Sequence, residues 1–289
     1  MDRPTFLMTD PAGFDVSYRI NPWMKPEAWG AADAQAARAG SDALRRALEG
    51  LGAKVETVGA MKGLPDLVFP ANAGVVLDGR VVPARFRHPE RQGEEPVFRA
   101  VFQRLKARGI VREITDLPEG MFHEGAGDAI WDAGRRLFWC GHGPRSSRAA
   151  VSALGRIFGK ETVALELATE QFYHLDTCFC PLAGGHVLYF PDAFSAEAQT
   201  TIRARIPAEL RIEATPDEAA AFCVNAVNLD EHIVMARAPE SLRRRLTAAG
   251  YRLTEVDLSA FILSGGAAYC MTLRLDRSSA PAAQLHAAE

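Results

Sequence analysis

Phe69-Pro70-Ala71-Asn72-Ala73-Gly74-Val75-Val76 is one of four stretches of the same make in this 289-residue chain. The others are Phe122-His123-Glu124-Gly125-Ala126-Gly127-Asp128-Ala129, Phe179-Cys180-Pro181-Leu182-Ala183-Gly184-Gly185-His186 and Phe222-Cys223-Val224-Asn225-Ala226-Val227-Asn228-Leu229. Each opens with Phe, passes through small residues and leads into an apolar, strand-like stretch. Their starts lie 53, 57 and 43 residues apart, and self-similarity at such a period marks a repeat architecture. After the first, Val75–Leu77 and Val81–Val82 flank Asp78-Gly79-Arg80, a hairpin signal because Asp-Gly takes up positive φ cheaply. Ala129–Trp131 and Leu137–Trp139, around Asp132–Arg136, predict a second hairpin.

Helical patterns fill the spaces between: Ala32–Leu51, Pro96–Arg108, Arg145–Phe158, Ser195–Ile206 and Pro239–Ala249, most of them rich in Ala, Leu and Arg. A fifth unit is expected to close from Ser264-Gly265-Gly266-Ala267-Ala268-Tyr269-Cys270 back onto an N-terminal strand at Phe6–Thr9. Short strands plus one helix, repeated about every 50 residues, predict a radial array of α/β modules. An ordinary open α/β sheet with accidental similarities is the alternative. No low-complexity linker divides the chain, so residues 1–289 are expected to form a single domain. A radial array converges on its axis, and the small-residue turns would deliver Asn72, Glu124, Asp128 and Cys270 there.

Composition narrows the classes. Hydrophobic residues make up 48% and charged residues 24%, which excludes a disordered chain. Lys+Arg 33 against Asp+Glu 36 leaves a net charge of -3, without the basic excess of a nucleic-acid binder. No run approaches the ~18 apolar residues of a membrane span, and the apolar run after Met1 is too short for a signal peptide. Five cysteines, an odd number without regular spacing, argue against a disulfide framework. The expectation is a cytoplasmic protein with neither nucleic acid nor membrane as partner. The sequence carries no mark of its oligomeric state, so a homo-oligomer stays open.

Cys140, Cys178, Cys180 and Cys223 sit in apolar, strand-like contexts, where free Cys packs as a small hydrophobe. Cys270 ends a flexible Gly-Gly-Ala-Ala-Tyr stretch, from which a thiol can face a pocket. His174, Cys178, Cys180 and His186 form H-x3-C-x-C-x5-H. Structural zinc, however, favours C-x2-4-C, and C-x-C cannot easily place two sulfurs around a tetrahedron, so no metal is expected. In an extended His174-Leu175-Asp176, residues i and i+2 share a side, which would put the carboxylate beside the imidazole to set its tautomer. Glu124 and Asp128 place two acids on a glycine-rich turn where a ligand can approach the backbone closely. Two carboxylates in a confined site suit a planar cation such as guanidinium; a solvated acidic loop is the plainer alternative.

Three motifs in order, Phe122–Asp128, His174-Leu175-Asp176-Thr177 and Gly265–Cys270, resemble those of the guanidine-modifying (amidinotransferase) superfamily. This superfamily includes arginine deiminase, dimethylarginine dimethylaminohydrolase and the glycine amidinotransferases. The opening Phe14-Asp15-Val16-x-Tyr18-x-Ile20-Asn21-Pro22-Trp23-Met24 is most similar to the bacterial arginine dihydrolase branch. The similarity runs over nearly the whole chain, and the family fold is a five-bladed α/β propeller (pentein), in agreement with the repeats. The resemblance implies Cys270 as nucleophile, His174 as general acid/base, and Glu124 and Asp128 as guanidinium holders. It also implies Arg145, in Gly141-His142-Gly143-Pro144-Arg145, as the partner of a substrate carboxylate. Arg85, in Ala84–Arg91, becomes a substrate contact, and Asp66, Asn72 and Asn21 further substrate-binding candidates. For Asn21 the alternative is a turn-former before Pro22.

The implied chemistry is covalent hydrolysis of the guanidinium of L-arginine or a close derivative, without a cofactor. Where deiminases and dimethylarginine hydrolases carry aspartate, this chain has Asn72, as the dihydrolase branch does. An amide both donates and accepts, whereas a carboxylate only accepts. Asn72 is therefore expected to tolerate a neutral ureido group and permit a second attack, ending in ornithine, ammonia and carbon dioxide. Dimethylargininase, deiminase and amidinotransferase activities are the enzymatic alternatives. A non-catalytic binding protein on the same propeller, like a ribosome-associated translation factor, is the alternative from another class.

Overall fold

The computed structural model describes residues 3–280. Among them are five three-stranded sheets of one plan. In the first, β1 (Thr5–Thr9) pairs in parallel with β2 (Lys54–Val58). The second holds β3 (Gly74–Leu77), β4 (Arg80–Pro83) and β5 (Glu113–Ile114). The third holds β6 (Ala129–Asp132), β7 (Leu137–His142) and β8 (Glu161–Glu166). The fourth holds β9 (Phe179–Pro181), β10 (Val187–Tyr189) and β11 (Arg211–Glu213). The fifth holds β12 (Val227–Leu229), β13 (His232–Ala236) and β14 (Arg252–Val256). In each of the last four an antiparallel hairpin is extended by a parallel third strand.

A parallel strand needs a crossover. The helices Ala31–Gly50, Glu94–Ala107, Arg148–Phe158, Ala196–Arg205 and Glu240–Ala248 supply one per module. All five lie where the sequence places them, within a few residues at each end. The first buries Ala37, Gly40, Ser41, Leu44 and Leu48, the spacing of one helical face. A Cβ at Gly40 would stand 2.6 Å from the Asp257 carbonyl oxygen, so glycine is what lets this helix seat. The first hairpin turns at Asp78 (φ 53°) and Gly79 (φ 73°), the left-handed pair its Asp-Gly predicts.

Closure follows the expected route. The short strand β15 (Leu273–Arg274), just after Cys270, pairs antiparallel with β1. The chain is thus a five-bladed α/β propeller whose first blade is completed by its C-terminal strand. Tight turns at Pro70–Ala73, Gly125–Gly127 and Leu175–Thr177 lead into the first strands of their blades. They pack against one another at the axis.

One expectation is corrected here. The third repeat does not begin at Phe179, which already lies within β9; the equivalent residue is Phe172. Phe122, Phe172 and Phe222 are then spaced 50 residues apart. Glu124 and His174 come to occupy the same place, immediately before their turns. Among the described residues no helix is long and apolar enough to cross a membrane.

Candidate active site

Around the axis two half-sites face each other. In one, Glu124 and His174, both almost fully buried, sit 2.7 Å apart from Oε2 to Nε2. The Arg145 Nη1 donates to the same Oε2 at 3.0 Å, and the Arg87 backbone N–H donates to Oε1 at 3.2 Å. Burial opposes charge on Glu124, but Arg145 and then His174 outweigh it and hold the carboxyl well below its usual range. For His174, burial dominates and pushes the pKa down to about 4 despite Glu124. The pair is therefore a neutral imidazole donating Nε2–H to a carboxylate. The lone pair is left on Nδ1, 3.4 Å from the Asn72 Nδ2.

Asn72 has no freedom to flip its amide. The Arg91 Nη1 donates to its Oδ1 at 2.9 Å, which leaves Nδ2 to face the Glu124 carbonyl and His174. Arg91 is itself buried and held by both oxygens of Glu94, at 2.8 and 2.9 Å, with the Asp66 carbonyl at 3.2 Å. Its guanidinium also lies 3.8 Å from the Asp66 carboxylate, which accepts from Ser264 Oγ at 3.1 Å. Burial raises the Asp66 carboxyl against the pull of Arg91.

The other half-site is built on Cys270, 2% exposed. Its Sγ donates to Asp176 Oδ2 at 3.2 Å and receives the Asn225 Nδ2 at 3.0 Å. Asn225 also shapes the loop. Its Oδ1 accepts the backbone N–H of Ala267 and of Cys270, both at 3.1 Å, and its Nδ2 reaches the Asp176 carbonyl at 3.0 Å. Burial and then Asp176 push the thiol pKa well up, so Cys270 is protonated here. Burial also lifts Asp176 to about 7, against its hydrogen bonds from Cys270 and Asn225. Asp176 Oδ1 is buried without a hydrogen-bond partner among the described residues.

Gly127 joins the halves. A Cβ there would fall 2.2 Å from Asn72 Nδ2 and 3.6 Å from Asp176 Oδ2. The amide and the carboxylate thus approach one another across a position that only hydrogen can occupy.

The structure brings Cys270, His174, Glu124, Asn72 and Asp66 to this axis and places other expected residues differently. Asp176 does not sit beside His174. The chain leaves the extended conformation after His174 and turns through Leu175–Thr177, which swings Asp176 to the thiol and leaves the imidazole to Glu124. Asp128 has both oxygens committed, to Ser146 Oγ at 2.5 Å and the Leu175 N–H at 3.0 Å, and braces two turns instead of presenting a free carboxylate. Asn21 accepts from the Trp23 and Met24 N–H groups and donates to the Ser264 carbonyl, which is the turn-former's role. Arg85 spends its guanidinium on the carbonyls of Leu117, Pro118 and Met121; Arg91 in the same segment reaches the centre. Arg145 is buried over the Tyr173 ring and bonded to Glu124 and the Ile20 carbonyl.

Sequence reasoning passed over Arg91 and Asn225 and misplaced the partner of Asp176. The Phe-led repeats already hold the missing signal, because Asn72 and Asn225 both stand three residues after their Phe. Cys140, Cys178, Cys180 and Cys223 are buried, as their contexts predict. His186 bonds to the Tyr251 hydroxyl at 3.0 Å, and Cys180 Sγ turns to the Ala226 carbonyl. Among the described residues no group of three or more His, Cys, Asp or Glu side chains is placed to hold a metal ion.

Comparison with known proteins gives a concordant set. Residues 18–277 match the family model described as N,N dimethylarginine dimethylhydrolase, eukaryotic. The bifunctional arginine dihydrolase/ornithine cyclodeaminase ArgZ of Synechocystis is 42% identical over 275 residues, 95% of this chain and 38% of the relative. The chain therefore spans little more than a third of that protein's length. The N(G),N(G)-dimethylarginine dimethylaminohydrolase of Mycobacterium tuberculosis is 34% identical, over 93% of this chain and 85% of that one. Among solved structures, the N-terminal domain of ArgZ as a Cys-to-Ser variant bound to substrate superposes with a TM-score of 0.90. It has 41% identity and covers 96% of this chain and 100% of that domain. The product-bound form of the same domain has a TM-score of 0.91 over 97% of this chain and 100% of that domain.

Proposed function

The chain belongs to the N,N dimethylarginine dimethylhydrolase family, and we propose that it is an arginine dihydrolase that converts L-arginine into ornithine, two ammonia and carbon dioxide. The observation that carries the reading is the pairing of Cys270 with Asp176, whose second oxygen has no donor. A guanidinium laid against the thiol supplies that donor and the compensating charge at once. It draws Asp176 into its ionised form and favours the thiolate over the neutral thiol. ArgZ, whose N-terminal domain has been solved with substrate and with product, supports arginine as the substrate class.

The steps follow from the side chains. The Cys270 thiol gives its proton to the free Nδ1 of His174 as the sulfur attacks the guanidinium carbon. The C–N bond to the departing nitrogen breaks as His174 delivers a proton, and ammonia leaves a thiouronium on the sulfur. His174 then takes a proton from water, whose oxygen attacks the same carbon. The C–S bond breaks and a ureido product results. Asn72 can donate Nδ2–H to the ureido oxygen, holding this neutral species for a second attack and hydrolysis. Two waters are consumed in all. Glu124 keeps His174 oriented throughout, and Asn225 holds the Cys270 loop through two backbone N–H groups. Arg145 is proposed to hold Glu124 in its ionised form, and Asp66, beside Arg91, to take part in substrate binding.

The test is incubation of the purified protein with L-arginine, with citrulline, ornithine and ammonia resolved over time. Ornithine with two equivalents of ammonia is expected. Citrulline alone would assign a deiminase despite Asn72. Inactivity on arginine with turnover of methylated arginines would assign the Mycobacterium-like activity instead.

A further inference from the structure

Beside the axial turns lies a cavity with about 30 Å3 open to the centre of a water molecule, room for about one or two waters or one small anion. Its walls come from several blades, and Trp131, Tyr269, Arg274 and Arg277 line it with mostly apolar neighbours. No carboxylate side chain lines it. Arg274 is already neutralised by Asp276, with Nε to Oδ1 and Nη2 to Oδ2 both at 3.1 Å. Arg277 has no such partner: its guanidinium makes no hydrogen bond or ion pair among the described residues, and burial lowers its pKa. The Trp131 Nε1–H, on a side chain only 5% exposed, is buried without an acceptor. The Tyr269 hydroxyl, on a half-buried side chain, also has no hydrogen-bond partner among the described residues. The other polar groups on the wall are spent, since Asn228 bonds to Ala183, Asp230 and His232, and Thr272 to the Ala268 carbonyl.

We propose that this cavity is a binding site for one small monovalent anion, of the size of a halide or formate, held by the Arg277 guanidinium with Tyr269 and Trp131 as neutral donors. A half-buried guanidinium without an ion-pair partner beside a mostly apolar wall, with two further idle donors next to it, matches an acceptor-only guest. None of Cys270, His174, Glu124 and Asn72 lines it, so the site is distinct from that for the proposed substrate. Tyr269 immediately precedes Cys270, so an occupant on its hydroxyl also steadies the catalytic loop.

The experiment uses the full chain with sodium bromide and sodium formate as probes, at ionic strength held constant with sodium sulfate, a dianion larger than either probe. Crystals grown in bromide are expected to show one anomalous peak within hydrogen-bonding distance of the Arg277 guanidinium. In solution, formate at tenfold over half-saturation should raise the melting temperature by about 2 °C. Arg277→Gln should remove both effects. Tyr269→Phe, which keeps the ring and loses only the hydroxyl, should weaken the formate response several-fold if Arg277→Gln folds poorly. A cavity holding only water in bromide, or a melting response equal in wild type and Tyr269→Phe and insensitive to anion identity, would overturn the proposal.

Discussion

Asn72→Asp is the substitution that tests the chemistry most directly, because it exchanges one NH2 for oxygen at nearly constant shape. The amide nitrogen lies 3.4 Å from His174 Nδ1. A full negative charge at that distance from an imidazolium is worth about 5 kcal/mol at an effective dielectric of about 20. Arg91 already bonds to the other oxygen of this side chain and will take up part of the new charge. Halving the interaction leaves about 2.5 kcal/mol, or about two pKa units at 1.36 kcal/mol each. His174, held at about 4 in the parent, should move to about 6. Nδ1 then binds a proton more readily, and the carboxylate offers no donor to a ureido oxygen. The first cycle on arginine survives, because its substrate is a cation. The second should slow by at least tenfold, so that citrulline accumulates and ammonia per arginine falls from two toward one. Chromatographic time courses of all three products, with pH profiles of each cycle, read this out. If the variant still releases ornithine with two ammonia at the parent rate, the account of Asn72 is refuted.

Three further outcomes follow from the same geometry. Because burial and Asp176 keep the Cys270 thiol protonated, it should react slowly with neutral iodoacetamide. A cationic haloacetamidine, which brings the missing charge, should react about 100-fold faster than a free thiol's relative reactivity toward the two reagents predicts; mass spectrometry of the labelled peptide is the measure. Asp176, lifted to about 7, gains its negative charge only as pH rises through that value. Binding of a guanidinium should therefore strengthen with rising pH, giving kcat/KM for arginine an ascending limb near pH 7 that disappears in Asp176→Asn. Gly127→Ala drives a methyl into the Asn72 amide, which Arg91 prevents from moving aside. Such overpacking costs about 1–3 kcal/mol of stability by denaturant unfolding, and activity should fall at least tenfold as the amide leaves His174.

Much of this protein is legible in its residues because its order is periodic and local. The Phe-led turns, the Asp78-Gly79 hairpin and the amphipathic helices each announce themselves within a short window, where chain geometry alone dictates which side chains share a face. Five such units with a strand at each end of the chain imply closure, and Leu273–Arg274 does pair with Thr5–Thr9. The placement of Cys270, Glu124 and Asn72 at the axis follows from the same repetition, whereas His174 joins them only once the third repeat is started at Phe172 instead of Phe179. What no window contains is the pairing between turns of different blades. Whether Asp176 serves the imidazole or the thiol depends on a single turn after His174, and whether Arg85 or Arg91 reaches Asn72 depends on how one loop folds back under Glu94. Asp128 is the residue type expected of a guanidinium partner, yet Ser146 and Leu175 claim its oxygens, because a buried carboxyl takes the nearest donors available. Residue types and spacing determine which groups arrive at the axis; only the tertiary structure decides which of them remain free, since that is settled by hydrogen bonds between residues 18 to 243 positions apart.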